Sequence, residues 1–174
     1  MPSISSLPQE LIDHIIDEVY LAYGTKPLKG LSLFSRMWRT RSQQHMFKEF
    51  CLEHSNIKKL QESITSKTNG PSASRPQLPY DLFSTVQKLF VTETTQLREC
   101  PEILQFFTNV TTLSILEWEL HTFNTTHDII NYLGHFGTTV TTVEIVKCYA
   151  DSEALIFSIS LFPHIERLQV DMKH

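Results

Sequence analysis

Histidines and cysteines are the residues of this chain whose spacing could support nucleophilic catalysis or metal binding. Cys51 and His54 are three residues apart, which on a helix would place a thiol beside an imidazole. A nucleophile and base of this kind also need a third group to orient the base, and none is evident. His121 and His127 lack the spacing that brings two ligands to one helix face, and His127 and Asp128 would diverge on a helix. We therefore interpret these histidines as surface or loop residues.

Motifs of the common enzyme classes do not occur in the sequence either. G-x-S-x-G, the P-loop, G-x-G-x-x-G and H-E-x-x-H are all missing, and the five glycines leave little for phosphate-binding loops. Cys51, Cys100 and Cys148 are far apart, which predicts reduced thiols in a cytoplasmic or nuclear protein. We expect no catalytic residue, no metal and no cofactor. A small hydrolase with catalytic residues dispersed along the chain is the alternative.

Composition and charge narrow the classes of partner. The 174 residues are 41% hydrophobic and 20% charged, as in ordinary globular proteins. The net charge of −4 argues against binding to nucleic acid or to a membrane surface. No apolar run reaches the roughly 18–20 residues of a membrane span, and no secretory signal is visible.

A pattern recurs four times in the second half of the chain. Each copy has a Phe, two or three further residues, and then apolar-x-x-apolar-x-apolar. The apolar sets are Val86/Leu89/Val91, Val110/Leu113/Ile115, Val140/Val143/Ile145 and Ile165/Leu168/Val170. They begin 24, 30 and 25 residues apart, which indicates a structural repeat.

Each repeat is predicted to contain a short strand, and three are preceded by a helical apolar pattern. The helical patterns are Ile103/Leu104/Phe107, Ile129/Ile130/Leu133/Phe136 and Leu155/Ile156/Ile159/Phe162. The last two apolar positions of each set point to one face of the strand, so the residues between them point to the other. If the repeats bind a substrate, this second face is the predicted contact surface: Lys88, Phe90, Thr112, Ser114, Thr142, Glu144, Arg167 and Gln169. Trp118 either joins that surface or packs against a loop.

The repeat resembles the leucine-rich repeat, with its LxxLxL strand and period of 20–29 residues. The Asn or Cys that usually follows the strand is missing in the first copies, and Cys148 takes that place in the third. An ordinary α/β layer without solenoid curvature is the alternative. Stacked repeats need terminal caps, and no amphipathic segment follows Val170. We therefore expect the natural array to be longer than this chain, which a longer transcript would support.

The first helix of the chain carries more apolar residues than a surface helix needs. In LPQELIDHIIDEV, Leu7-Pro8 introduces the helix, and Gly24 and Pro27 end it. A second helical segment, LKGLSLFSRMWRTRSQQHMFKEFCLEH, is predicted to turn at residues 39–42. Such short helices cannot bury all this apolar surface among themselves, and an exposed apolar patch indicates a partner.

These segments resemble the F-box, with Leu-Pro-x-Glu-Leu, an apolar helix and then Leu-x-x-Phe-Ser-Arg-x-Trp over roughly residues 5–50. An F-box followed by leucine-rich-repeat-like units is similar to a class of proteins abundant in fungi. The resemblance implies binding to the Skp-type adaptor, and through it to a cullin. The adaptor-binding residues that it implies are Leu7, Pro8, Leu11, Ile15, Ile16, Val19, Leu28, Leu31, Phe34 and Trp38. Some of them must pack the module itself, and periodicity cannot say which.

The predicted fold class is α+β, with three segments. Residues 1–55 form an F-box-like module of three helices. Residues 56–80 form a linker or long loop, because residues 61–80 are rich in Pro, Ser and Thr, contain Gly70 and show no periodicity. Residues 81–174 form a leucine-rich-repeat-like α/β segment of about four parallel strands. The implied function is that of a substrate-recognition subunit of an SCF-type ubiquitin ligase, with an unknown protein substrate. The alternative is a binding scaffold that uses the F-box–adaptor pair outside ubiquitination.

Overall fold

The computed structural model describes residues 7–65, 83–92, 101–117, 130, 133–149 and 152–172. The chain divides into two compact units, Met1–Lys48 and Glu49–His174, here called the helical unit and the sheet unit. Together they confirm the predicted α+β class. Among the described helices, none has the length and apolar character needed to cross a membrane.

The helical unit contains α1 (Gln9–Tyr23), α2 (Leu28–Leu31) and α3 (Arg36–Met46). Pro8 precedes α1 in an extended conformation, and Gly24 ends it with a positive φ of 69° that an L side chain rarely adopts. The core of the unit is formed by Ile12, Ile16 and Leu28, which are fully buried. Ile12 and Ile16 are one helical turn apart, so α1 buries a single stripe.

The predicted turn at residues 39–42 is wrong, because these residues lie inside α3. The helical segment breaks earlier, between Leu31 and Arg36. There Ser35 adopts an extended conformation (φ −160°, ψ 173°), and the Ser32 hydroxyl donates to the carbonyl of Lys29. Serine side chains compete for backbone hydrogen bonds and so favour helix ends. Residues 39–42 contain two arginines, which are good helix formers, and neither Gly nor Pro interrupts them.

The sheet unit alternates strands and helices. In chain order the described elements are β1 (Glu49–Leu52), α4 (His54–Thr65), β2 (Lys88–Val91), a 3₁₀ helix (Pro101–Phe106), β3 (Thr112–Leu116), a 3₁₀ helix (Gly134–Phe136), β4 (Thr142–Cys148), α5 (Ser152–Ser160) and β5 (Arg167–Met172). The five described strands lie side by side in sequence order, and every neighbouring pair is parallel. Of the three predicted helical patterns, the first is a 3₁₀ helix and the third is α5. In the second, Ile130 and Leu133 are α-helical and precede the 3₁₀ helix Gly134–Phe136, and Ile129 lies outside the described residues.

A backbone contact repeats from strand to strand. The carbonyl of Gln87 accepts the N–H groups of Thr111 and Thr112 at 2.9 and 3.0 Å. The Thr111 carbonyl accepts those of Thr141 and Thr142 at the same distances, and the Thr141 carbonyl accepts those of Glu166 and Arg167 at 2.7 and 3.1 Å. These backbone hydrogen bonds connect the start of each of these strands to the start of the next at equivalent positions.

The core of the sheet unit lies on the helix side of the sheet. The first three predicted apolar sets are fully buried there: Val86, Leu89, Val91, Val110, Leu113, Ile115, Val140, Val143 and Ile145. The Phe that opens each repeat is also buried: Phe83, Phe107, Phe136 and Phe162. Phe50 joins Phe83 and Phe107, with the three ring centroids 5.3–5.6 Å apart. The fourth set is less covered, since Leu168 is exposed.

Strand β1 has no counterpart in the prediction. Phe50 and Leu52 pair in register with Leu89 and Val91, so Phe47-x-x-Phe50-x-Leu52 is a further copy of the apolar pattern. Helix α4 then occupies residues 54–65, which include the first part of the predicted linker 56–80, and residues 66–80 lie outside the described part of the chain.

Gly137 lies close to the backbone of Leu161, and a substitution can test this close approach. A Cβ at this position would lie 2.6 Å from the Leu161 carbonyl oxygen, a backbone atom that cannot rotate away. We expect Gly137→Ala to destabilise the sheet unit by about 1–3 kcal/mol because the backbone must shift. Urea unfolding measures the change. Gly134→Ala is the matched control, since its Cβ would meet only a side-chain carbon at 3.6 Å. Equal stability of the two variants would contradict the close approach.

Candidate protein-binding surfaces

The ten predicted adaptor-binding residues separate into three groups by exposure. Ile16 and Leu28 are fully buried in the core of the helical unit. Leu7, Val19, Leu31 and Trp38 are partly buried and pack against that core. Pro8, Leu11, Ile15 and Phe34 are exposed. The structure thus assigns the first group to internal packing and leaves the last group open to solvent.

The exposed apolar residues of α1 lie beside its buried stripe. Leu11 and Ile15 are one turn apart and remain 51% and 39% exposed, whereas Ile12 and Ile16 are fully buried. The helix therefore carries a second apolar stripe that the helical unit does not cover. Exposed large apolar side chains that sequence reasoning did not select are Leu21, Tyr23 and Leu33. Their spacing gives no periodic signal that separates them from core residues.

Phe34 and Trp38 form an aromatic pair at the start of α3. Phe34 is 73% exposed, and its ring centroid lies 6.5 Å from that of Trp38 at an interplanar angle of 47°. Trp38 is partly buried and also packs against the core of the helical unit. The pair therefore connects the core of the helical unit to solvent, as an anchor residue and its support do in many protein interfaces.

A cluster of polar side chains joins α1 to α3, with His45 buried and Asp17 and Arg41 partly exposed. The Arg41 guanidinium donates two hydrogen bonds of 2.7 Å to the two carboxylate oxygens of Asp17. The Nε2 atom of His45 lies 2.6 Å from Asp17 Oδ1, and the His45 ring stacks on Tyr20 with centroids 4.3 Å apart. The hydrogen bonds from Arg41, followed by that from His45, hold the pKa of Asp17 well below its usual range, against the effect of burial.

Sequence reasoning missed this cluster. The arginines of α3 alone suggest a solvated basic face, but Arg41 binds Asp17 and the Arg39 Nε donates to the Ser32 carbonyl at 3.3 Å. Asp17 and Arg41 are 24 residues apart, so no local spacing connects them. Only knowledge that α1 packs on α3 would have paired them.

The eight predicted residues of the sheet surface form two rows in register. Lys88, Thr112, Thr142 and Arg167 form one row across β2–β5, and Phe90, Ser114, Glu144 and Gln169 form the next. We call this surface the polar face. Glu49 and Cys51 continue the rows on β1 and were missed because that strand was missed.

The centre of the polar face is a small charged cluster. Lys88 Nζ reaches across β3 to the Glu144 carboxylate at 3.1 Å, and the Ser114 hydroxyl donates to the same carboxylate at 2.5 Å. The Lys88 ammonium also lies 4.8 Å from the centre of the Phe90 ring. Ser114 and then Lys88 lower the pKa of Glu144 against the effect of its partial burial. The carboxylate is therefore ionised and held in place at neutral pH.

The thiols of the described residues are not activated. Cys51 lies on β1, not on a helix with His54, and burial together with neighbouring Glu53 raises the pKa of its thiol to about 11. Burial also raises the pKa of Cys148. A reactive thiol needs the opposite shift. Cys100, Trp118, His121, His127 and Asp128 lie outside the described residues.

Metal ligands and clefts are the remaining features of the described residues that could form a site. Within the described ranges, no group of three or more His, Cys, Asp or Glu side chains is placed to hold a metal ion. A cleft of about 230 Å³ opens between α1 and α3. Its lining residues are Gln9, Asp13, Arg36, Met37, Thr40, Arg41 and Gln44, which include no nucleophile paired with a base. The apolar residues of the helical unit and the polar face remain the two candidate binding surfaces.

Comparison with protein-family models finds no match for this chain, and comparison with curated proteins finds none either.

The Asp17 cluster predicts a pH-dependent stability of the helical unit. Because the pKa of Asp17 is lower in the folded state than its unfolded value of about 4, its contribution is present at neutral pH and is lost as the pH falls below about 5. Asp17→Asn should reduce the free energy of unfolding by about 1–2 kcal/mol at pH 7, a figure kept small because both side chains are about a third exposed.

Denaturant unfolding from pH 3 to pH 7 measures this effect, with the exposed neighbour Glu18 as a control. The difference in the free energy of unfolding between the unmodified chain and Asp17→Asn should shrink toward pH 3. Glu18→Gln should change the free energy of unfolding little at any pH. A constant difference across the range would show that Asp17 acts by shape and not by charge.

Proposed function

We propose that the chain is a substrate-recognition subunit of an SCF-type ubiquitin ligase. In this proposal the helical unit is an F-box module that binds a Skp-type adaptor, and through it a cullin. The sheet unit is a leucine-rich-repeat-like segment that binds a protein substrate, in the cytoplasm or the nucleus. The observation that carries the proposal is the exposure of Leu11, Ile15 and Phe34 at positions that the F-box resemblance implies for adaptor contact.

The energetics of the helical unit support a partner. Three side chains form its fully buried core, while three large apolar side chains of the implied interface remain in water. Complete burial of such a side chain contributes roughly 1.5–3 kcal/mol. Docking on an apolar groove would supply that contribution and offset the entropy lost on association. Trp38 would then be enclosed between Phe34 and the core, as hot-spot residues usually are.

The polar face suits a polypeptide partner more than a small reactive substrate. Its described side chains offer hydroxyls, an amide, one carboxylate and two cations over two rows, a mixture that can hydrogen-bond an irregular protein surface. The contribution to ubiquitination would be proximity, because the bound substrate is held near a ubiquitin-charged enzyme. A non-catalytic role of this kind agrees with the unactivated thiols of Cys51 and Cys148.

Adaptor capture tests the proposal, with matched pairs of exposed residues. The chain would be co-expressed with a Skp-type adaptor from its source organism and purified by affinity. Phe34→Ala should weaken capture about tenfold or more, because it removes a side chain from the implied interface. Its neighbour Leu33→Ala removes an equally exposed apolar side chain outside the implied set and should leave capture unchanged.

A second pair tests α1 in the same assay. Leu11→Asp should abolish capture, because it would bury a charge in an apolar interface, whereas Leu21→Asp should not. Both sites are exposed, so neither change disturbs the core. A folded chain that never captures the adaptor, or one that loses it equally with all four variants, would refute the proposed F-box surface.

Cullin content separates a ligase subunit from a scaffold that uses the same adaptor. The captured complex should bind a cullin in stoichiometric amount if the chain serves a ligase. An adaptor complex that excludes the cullin would favour the scaffold.

A further inference from the structure

The charges of the helical unit are segregated along the chain. Residues 1–25 contain four acids and no Lys or Arg, whereas residues 26–48 contain six Lys and Arg and no acid. A solvated surface usually mixes both signs of charge, because neighbouring like charges repel each other. Segregation of this kind leaves a net positive charge on the part of the unit that contains α2 and α3.

Two of the six cations have partners inside the unit. The Arg41 guanidinium is paired with Asp17 at 2.7 Å, and the Lys48 ammonium lies 5.1 Å from the centre of the Tyr20 ring. The other four are exposed, and none of them forms an ion pair with another described residue: Lys26, Lys29, Arg36 and Arg39. Four positive charges of the unit are therefore not neutralised by its own acids.

These exposed cations flank an apolar ring. Phe34 is 73% exposed in the loop between α2 and α3. Lys29 lies before it on α2, and Arg36 begins α3 two residues after it. Arg39 Nε donates to the carbonyl of Ser32 at 3.3 Å, so its guanidinium also lies at this loop. We call the four exposed cations and Phe34 the basic corner.

We propose that the basic corner docks an acidic segment of the Skp-type adaptor. Phe34 enters an apolar pocket of the adaptor, and Asp or Glu side chains of the adaptor lie opposite Lys29, Arg36 and Arg39. The planar guanidinium groups of the two arginines match the geometry of a carboxylate. The inference rests on the proposed function and specifies the charge that the adaptor must carry at this surface.

A short acidic protein segment fits the corner better than an extended anionic surface does. The acids of α1, of which Glu10 and Glu18 are exposed, would repel a nucleic acid or an anionic membrane that covered the whole unit. A short segment meets the cations alone. Charges at the rim of an interface steer the encounter and exclude wrong partners, whereas a desolvated aromatic residue prolongs the complex.

Association kinetics test the acidic partner. Biolayer interferometry would measure the association rate constant of the full chain with a purified Skp-type adaptor. The rate constant should fall about tenfold or more between about 0.05 M and 0.5 M NaCl, because salt screens the attraction. Arg36→Glu and Lys29→Glu should each lower it about threefold or more at the lower salt concentration.

Two further variants show which part of the corner acts in which way. Lys58→Glu on α4 is the matched control: it is an exposed lysine, makes the same change in net charge as Lys29→Glu, and lies in the sheet unit. It should leave the association rate constant nearly unchanged. Phe34→Ala should shorten the lifetime of the complex with little change in the association rate constant, because its contribution is burial and not charge.

The higher salt concentration also reports folding. There Arg36→Glu and Lys29→Glu should associate as fast as the unmodified chain, since the charges are screened, whereas a misfolded variant would fail at both concentrations. An association rate constant that neither salt nor these two variants change would overturn the acidic partner and leave the proposed function standing. A loss of equal size with Lys58→Glu would overturn it as well, because the net charge and not the corner would then act.

Two remaining results would also overturn the inference. Binding to phosphatidylserine vesicles that Arg36→Glu abolishes, with adaptor association unaffected, would assign the corner to a membrane surface. A folded chain that does not capture the adaptor at either salt concentration would refute the proposed function together with this inference.

Discussion

The carbonyl groups of Gln87, Thr111 and Thr141 constrain the rest of the sheet unit, because each accepts two N–H groups from the following strand. With the strand starts tied in this way, the register between neighbours is fixed. A slip of one residue would turn every apolar side chain out of the core and every polar side chain into it. The buried apolar sets and the two rows of the polar face are therefore consequences of the same backbone contact.

This constraint explains why the sequence predicts much of the structure of the sheet unit. An alternation with period two survives where one face is buried, so the spacing of Val86, Leu89 and Val91 predicts both a strand and its core face. Strand β1 was not predicted, and the reason is also physical. Its apolar set begins at Phe47, directly after α3, where the helical pattern of Met46 and Phe50 gives an equally good fit. Tertiary pairing with β2, which sequence does not show, decides between them.

The helical unit was less predictable because its first helix is apolar over more than one stripe. Leu11 and Ile12 are neighbours of similar hydrophobicity, yet one is exposed and the other fully buried. Which stripe faces inward depends on how α1 packs on α3, and the Asp17–Arg41 pair contributes to that orientation. The orientation of α1 depends on a contact between residues 24 apart in sequence. Helix propensity and hydrophobic periodicity are local signals, so neither could predict this orientation.

The two candidate surfaces differ in the kind of selectivity that they can provide. On the polar face, Glu144 already has Lys88 and Ser114 as partners, so its charge is largely compensated before any ligand arrives. A partner gains there only by matching the geometry of groups that are already hydrogen-bonded. On the helical unit, Leu11, Ile15 and Phe34 have no such compensation, and any complementary apolar groove gains by removing them from water. The first surface is suited to discrimination between related partners, and the second to stable attachment.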